Sequence, residues 1–150
     1  KILPGEVVGI GLDFTSSTVI PVKADKTPVC HLPEFKDEPH AYVKLWKHHG
    51  AEEEAKLMNE VAVARNEEWL PTYGGKISSE WMYPKIYETL RHAPEVYEAA
   101  DRFMEALDWI IWQMTGEETR SACGAGYKAF HRHDSGYPTK DFFKAEKHKL

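Results

Sequence analysis

The sequence is poor in cysteine and in long apolar runs, and each shortage excludes a class of protein. Its two cysteines, Cys30 and Cys123, are too few for a disulfide framework, and no CxxC pair suggests a zinc or redox site. We interpret them as reduced thiols, which are typical of intracellular proteins. No apolar stretch approaches the ~20 residues that a membrane span needs, and no signal peptide is recognisable at the start. These absences predict a soluble protein of the cytoplasm that has no membrane partner.

A cluster of positive charge is also missing. The chain carries 19 Lys and Arg against 24 Asp and Glu, which gives a net charge of -5, and the basic residues are scattered. Nucleic-acid binding usually leaves a basic stripe, so we expect no nucleic-acid partner. Five Trp, seven Tyr and six Phe supply enough apolar mass to pack a core. The length of 150 residues predicts one domain over residues 1–150.

Patterns that would mark catalysis are missing as well. The sequence contains no GxSxG nucleophile elbow, no HExxH zinc motif and no phosphate-binding loop ending in Lys-Ser or Lys-Thr. His131 and His133 form an HxH pair, but a metal site needs at least a third ligand, and the sequence suggests none nearby. We therefore predict no metal site. A Ser/His/Asp site assembled by the fold stays open at this point.

What the chain does contain is a short apolar, β-branched run at residues 7–12, followed at once by polar residues. It is apolar at both alternating positions, which predicts a strand buried on both faces of a helix-covered sheet. Further strands are predicted over residues 17–22, 28–32 and 102–107. A polar turn at residues 24–27 joins the first two of these, and Pro21 confines its strand to an edge or a bulge.

Helices dominate the remainder. Apolar spacing, prolines near starts and glycines after ends predict them over residues 39–48, 51–65, 78–93, 95–100, 109–114 and 141–145. In the third of these helices, Ser78 and Ser79 are expected to cap the start, and Met82, Ile86 and Leu90 form the apolar stripe. The class predicted is α/β, with several helices packed on a small sheet. A sheet this small is the first indication that the chain is a piece of something larger.

Three polar clusters are candidate ligand sites. Residues 13–18 (DFTSST) place hydroxyls at the carboxyl end of the first strand, where ligands bind in open α/β sheets, unless the turn only satisfies its own backbone. Residues 124–128 (GAGYK) predict a glycine loop from which Lys128 reaches either a ligand or solvent. Residues 78–81 (SSEW) combine a carboxylate with an indole, as sugar sites do. An acidic residue in a first helical turn is equally ordinary dipole chemistry.

Five sequence blocks resemble the ribulokinase branch of the FGGY carbohydrate kinase family. They are VVGIGLDFTSST at residues 7–18, PEFK at 33–36, LWKHH at 45–49, GGKISSEW at 74–81 and CGAGYKAF at 123–130. The blocks come in family order with family-like spacing, and their combination is specific although each block is short. The resemblance covers about residues 7–145 and does not extend to residues 146–150. Met82 stands where the commoner family signature has Ser, Thr or Pro, which favours this branch over glycerol and xylulose kinases.

The resemblance implies an incomplete domain of ribonuclease H-like, actin-like ATPase topology. In this family the N-terminal domain binds the sugar and the C-terminal domain binds ATP. By position, Ser16 and Ser17 contact the sugar, Glu80 lies against it, Lys128 hydrogen-bonds the ketose, and Trp81 walls the pocket. The parent enzyme is expected to phosphorylate L-ribulose at the 5-hydroxyl with ATP and Mg²⁺.

The resemblance also implies that essential parts belong elsewhere in the parent. An Asp-Gly-Thr phosphate motif is expected before residue 1, and a catalytic aspartate and the nucleotide-binding domain beyond residue 150. We therefore expect this segment to bind neither ATP nor Mg²⁺ and to be inactive alone. Its expected partners are the sugar and the rest of the kinase chain. The alternative is a non-catalytic structural or interaction module that keeps the ribonuclease H-like fold without binding sugar.

Overall fold

The chain is a small α/β unit in which helices outnumber strands. The computed structural model describes the backbone of residues 2–147 and the side chains of residues 2–145, and the rest of the predicted domain lies outside the described residues. Within that part, the α-helices are α1 (Glu52–Ala64), α2 (Met82–His92), α3 (Pro94–Ala99), α4 (Ala106–Thr115), α5 (Ala122–Lys128) and α6 (Lys140–Lys147). Short 3-10 helices occur at Pro4–Glu6, Val29–His31, Pro33–Phe35, Pro39–Ala41 and Leu70–Tyr73.

The sheet consists of two antiparallel strands, β1 (Val19–Val22) and β2 (Arg102–Glu105). Their register sets Val19 opposite Glu105. Because the strands run in opposite directions, the beginning of β1 and the end of β2 lie together. This corner of the sheet receives the polar residues that precede β1.

Three apolar clusters hold the elements together. The largest packs α1, α2 and α6 around Phe130 and Phe142, which are fully buried, and the Trp69 ring stacks on Phe130 with 4.9 Å between centroids. A second cluster covers the sheet and includes Trp112 of α4. The third joins the 3-10 helix Val29–His31 to α3. Burial of apolar area in such clusters is the main force that holds a domain of this size together.

Most predicted elements are confirmed within four residues at their ends. These are the strands predicted over residues 17–22 and 102–107 and the helices predicted over 51–65, 78–93, 95–100, 109–114 and 141–145. The helix α2 ends at His92, and its C-cap Ala93 directly precedes Pro94, which disfavours helical geometry before it. The helix α4 ends at Thr115, and its C-cap Gly116 has a φ of 82° that suits glycine. The α/β class is therefore confirmed, and the ribonuclease H-like topology stays a prediction.

The apolar run at residues 7–12 is not a strand, which contradicts the sequence prediction. The segment is irregular and its apolar side chains are exposed, Val8 completely and Ile10 by 68%. A strand is held by hydrogen bonds to a neighbouring strand, and among the described residues neither strand of the sheet pairs with this segment. Its apolar pattern consequently has no partner in the described part of the chain.

The second arm of the predicted hairpin is also wrong. The turn at residues 24–27 forms, and Pro28 makes a single antiparallel bridge to Val22. The chain then enters the 3-10 helix Val29–His31 instead of continuing as a strand. Proline lacks the N–H that a strand ladder needs, so Pro28 does not extend the pairing.

The helix predicted over residues 39–48 is limited to one 3-10 turn, Pro39–Ala41. The backbone of Lys44 instead exchanges hydrogen bonds with Val19 on the outer edge of β1, at 3.0 and 2.8 Å. Pairing with the sheet here outweighs the local preference for helix.

The start and the buried face of α2 differ from the prediction. The residue before the helix is Trp81, and neither Ser78 nor Ser79 caps it. The side chains predicted as its apolar stripe are only partly buried, whereas Lys85 and Glu88 are buried. This helix therefore turns two charged residues toward the interior, which apolar periodicity alone did not reveal.

Residues 124–128 belong to α5 and not to a glycine loop. The helix begins at Ala122 and is capped by Ser121, whose Oγ accepts a hydrogen bond from the Gly124 N–H at 3.2 Å. The Ser121 N–H in turn donates to the buried carboxylate of Asp108 at 2.8 Å. This N-terminal capping stabilises a helix in spite of its two glycines.

Candidate functional site

The hydroxyl-rich residues 15–18, called the serine turn below, lie where β1 begins. Thr18 closes the turn by donating from Oγ1 to the Thr15 carbonyl at 2.8 Å. The sequence predicted these residues at the carboxyl end of a strand over residues 7–12, and that placement is wrong. The antiparallel register sets them instead beside Glu105, at the carboxyl end of β2.

Ser17 is the most constrained residue of the serine turn. Its φ is 67°, in the left-handed region that residues other than glycine rarely adopt. The N–H groups of Ser17 and Thr18 donate to the two carboxylate oxygens of Glu105, each at 3.0 Å. Such a conformation persists only where the surrounding structure fixes it, and Glu105 is one of the groups that do so.

Lys85 holds the other side of the same residue. Its ammonium, at the end of a fully buried side chain, donates to the carbonyl oxygens of Ser17 at 2.6 Å and Leu45 at 2.8 Å. Burial lowers the pKa of Lys85 to about 8, although the negative charge of Glu105 opposes this shift. Both backbone polar groups of Ser17 are thus bound by buried charged side chains.

The hydroxyl oxygens of Ser16 and Ser17 are buried, and neither has a hydrogen-bond partner among the described residues. Buried polar atoms are nearly always paired with protein, water or a ligand. Each hydroxyl can donate one hydrogen bond and accept others. Two adjacent serine hydroxyls with this unused capacity suit a ligand that is itself rich in hydroxyl groups.

Glu80 and Trp81 directly precede α2. The Glu80 carboxylate is partly buried and lies 3.6 Å from His49 Nε2. The Trp81 ring meets the rings of Tyr73 and Phe130 edge-on, each with 5.7 Å between centroids. The same tryptophan lines an open cleft whose other walls are Thr72, Tyr73, Gly126, Tyr127 and residues 131–134.

Lys128 is the last residue of α5, and its Nζ lies 5.5 Å from the centre of the Tyr127 ring. Its positive charge also acts on Lys85, whose pKa it lowers, while the charge of Glu80 raises that pKa. Both effects are smaller than those of burial and Glu105. The fold therefore brings Glu80 and Lys128 into the electrostatic surroundings of Lys85, which touches the serine turn.

A second charged cluster lies on the neighbouring turn of α2. The buried Glu88 carboxylate accepts hydrogen bonds from Lys44 Nζ at 2.6 Å and lies 2.7 Å from His48 Nε2. Burial alone raises the pKa of Glu88, but these hydrogen bonds and the charge of Lys44 bring it below its ordinary value. Burial lowers the pKa of Lys44, and we take the pair as charged at neutral pH because the contact is short.

Sequence reasoning missed Lys85 and Glu105. Glu105 is a carboxylate at the end of a predicted strand, and that position was a signal that could have identified it. Lys85 gave no such signal, because a lysine on an amphipathic helix ordinarily lies on the solvated face. Only the packing of α2 against the serine turn identifies it.

No group of three His, Cys, Asp or Glu side chains within residues 2–145 could hold a metal ion. In the same part of the chain, no helix is long and apolar enough to cross a membrane.

The chain is similar to part of several ribulokinases. It is 54% identical over 142 residues to the ribulokinase of Geobacillus thermodenitrificans and 51% identical over 142 residues to that of Anoxybacillus flavithermus; each match covers 95% of this chain. The ribulokinase of Mycolicibacterium smegmatis is 51% identical over 139 residues, which is 93% of the chain. The chain spans about a quarter of the length of these curated relatives. No family model matches it. The predicted resemblance to a ribulokinase segment is thereby confirmed.

Proposed function

We propose that this chain is a sugar-binding segment of an ATP-dependent carbohydrate kinase that phosphorylates L-ribulose at its 5-hydroxyl. In this proposal Ser16, Ser17, Glu80 and Lys128 bind the ketose, and Trp81 forms a wall beside it. Phosphoryl transfer depends on positioning and on charge stabilisation, and these residues would supply part of the positioning.

The observation that carries the proposal is the pair of serine hydroxyls in the serine turn. Ser16 Oγ and Ser17 Oγ are buried without a partner among the described residues. A buried hydroxyl without a hydrogen bond costs about 1–3 kcal/mol, so a site that holds two of them is stabilised by a polyol that pairs with both. The similarity to ribulokinases over this part of the chain supports a ketopentose as that polyol.

ATP and Mg²⁺ are assigned to the parent enzyme and not to this segment. We propose that the remaining kinase chain supplies the contacts to ATP and Mg²⁺, and that the residues of this segment contact neither. Their proposed partners are the sugar and the remaining kinase chain. We place the enzyme in the cytoplasm, where its free thiols Cys30 and Cys123 would stay reduced.

The test uses the complete gene that contains this sequence. We expect the flanking sequence to encode an Asp-Gly-Thr motif upstream and a catalytic aspartate with a nucleotide-binding domain downstream. The purified full-length product should phosphorylate L-ribulose when ATP and Mg²⁺ are present, and the 150-residue chain alone should not. A stop codon or an unrelated domain on either side, or a full-length product inactive on ketopentoses, would favour the non-catalytic module instead.

A further inference from the structure

Charged side chains bind both backbone polar groups of Ser17, its N–H and its carbonyl. Glu105 accepts the N–H groups of Ser17 and Thr18, and Lys85 donates to the Ser17 carbonyl. Lys85 is fully buried and Glu105 is 6% exposed. Lysine and glutamate side chains are almost never buried unless they are paired, so the burial of both around one residue indicates a structural role.

The conformation of Ser17 supplies that reason. A serine with a φ of 67° lies in a sparsely populated backbone region that is unfavourable for residues with a Cβ atom. Relaxation toward negative φ would rotate the peptide groups on either side and move the hydroxyls of Ser16 and Ser17. Hydrogen bonds to charged groups are roughly twice as strong as neutral ones, and three of them converge on this turn.

The two charged side chains also act on one another. Glu105 exerts the largest attractive charge effect on Lys85, and Lys85 in turn draws the pKa of Glu105 downward against the rise that burial imposes. The carboxylate and the ammonium thus lie on opposite sides of Ser17 and attract each other across it. The attachment points belong to different elements, because Glu105 ends β2 and Lys85 lies within α2.

We infer that Glu105 and Lys85 are positioning residues that hold the serine turn in its strained shape and thereby set the affinity of the site for its sugar. The inference rests on the proposed function, because the sugar is the ligand assigned to the serine hydroxyls. Neither residue needs to touch the sugar. The Glu105 carboxylate also occupies the N–H groups of Ser17 and Thr18, so recognition falls to the hydroxyls, which suit a neutral polyol better than an anionic group.

The decisive variant is Glu105→Gln in the full-length kinase. Glutamine keeps the size of the side chain but places one NH₂ group against a backbone N–H, so at least one of the two hydrogen bonds is lost. We expect the KM for L-ribulose to rise about tenfold, as for the loss of roughly one charged hydrogen bond, while the KM for ATP stays unchanged. The matched control is Glu54→Gln, which alters another buried carboxylate whose partner is Arg91. Its expected effect is lower stability with an unchanged KM for L-ribulose.

Amide hydrogen exchange provides a readout that does not depend on activity. In the wild-type enzyme the amides of Ser17 and Thr18 should exchange slowly although they lie in a turn, and in Glu105→Gln they should exchange faster than those of β1. Fast exchange of these two amides in the wild type would overturn the inference without any variant, which keeps it testable if Glu105→Gln does not fold. An unchanged KM for L-ribulose beside faster exchange would also overturn it. A wild-type enzyme inactive on L-ribulose would defeat the proposed function instead, and exchange alone would then decide whether Glu105 holds the turn.

Discussion

At the scale of single residues, Lys128 gives the most direct test of the proposed sugar binding. Lys128 is the last residue of α5, and its long side chain carries an ammonium with three donors that can meet sugar oxygens in several geometries. In the full-length kinase, Lys128→Met keeps much of the bulk and removes the charge. We expect a loss of about 1.5–3 kcal/mol of transition-state stabilisation, measured as kcat/KM for L-ribulose, with little change in folding. Lys140→Met, at the exposed start of α6, is the control and should leave kcat/KM unchanged. Equal efficiencies for Lys128→Met and the wild type would show that Lys128 is a solvated helix end.

Glu88 sets a residue-scale expectation for acid stability. Its folded-state pKa lies below the ordinary value of 4.5 because the hydrogen bonds from Lys44 and His48 outweigh burial. The stabilisation is therefore present above pH 4.5 and is lost as the pH falls through the lower, folded-state pKa. In urea unfolding of the chain at several acidic pH values, the free energy of unfolding should fall less steeply with decreasing pH for Glu88→Gln than for the wild type. Glu52→Gln, at an exposed position of α1, should keep the wild-type slope. Parallel curves for Glu88→Gln and the wild type would contradict the assignment.

At the scale of elements, α1 and α2 are joined by a charged contact as well as by apolar packing. Glu54 of α1 is buried, and Arg91 of α2 donates to it at 2.5 Å. Among the residues that the structure describes, removing the arginine leaves the buried carboxylate with the weaker contact to His92 at 3.4 Å. Removing one member of this pair should therefore destabilise the contact between the two helices, because the other member would stay buried without its partner.

Arg91→Met should therefore lower the free energy of unfolding by about 2 kcal/mol, less than for a fully buried pair because Arg91 is 22% exposed. Lys36→Met provides the comparison, since the ion pair of Lys36 with Asp37 is largely exposed and should contribute at most about 0.5 kcal/mol. Urea unfolding followed by far-UV circular dichroism measures both. Equal losses in the two variants would show that apolar packing alone joins the helices.

At the scale of the whole molecule, an exposed apolar segment contrasts with a packed body. Residues 7–12 are irregular and carry exposed Val7, Val8 and Ile10, whereas every residue of β1 is buried. Exposed irregular backbone is the preferred site of proteolysis.

Limited digestion of the 150-residue chain with elastase, followed by mass spectrometry, should cut within residues 7–12 well before it cuts within β1. In the full-length protein the same segment should be protected if it becomes the buried strand that its sequence predicts. Early cutting in β1, or resistance of residues 7–12 equal to that of β1 in the isolated chain, would contradict this structure.

The sequence by itself determined the α/β class, most helices and the similarity to ribulokinases. These features depend on local information: apolar spacing, Pro94 after a helix end, Gly116 at another, and short motifs such as residues 74–81. It also predicted the serine hydroxyls as ligand groups; those of Ser16 and Ser17 are buried without a hydrogen-bond partner among the described residues, and their binding of a ligand stays a prediction.

Only the tertiary structure decided what depends on contacts between distant residues. Glu105 reaches Ser17 across 88 positions and Lys85 reaches it across 68, so neither contact leaves a trace in local spacing. The pairing of Lys44 with Val19 similarly replaces a helix that propensity favours. The strand pattern of residues 7–12 shows the converse, because an apolar run becomes a strand only where a neighbouring strand supplies its hydrogen bonds.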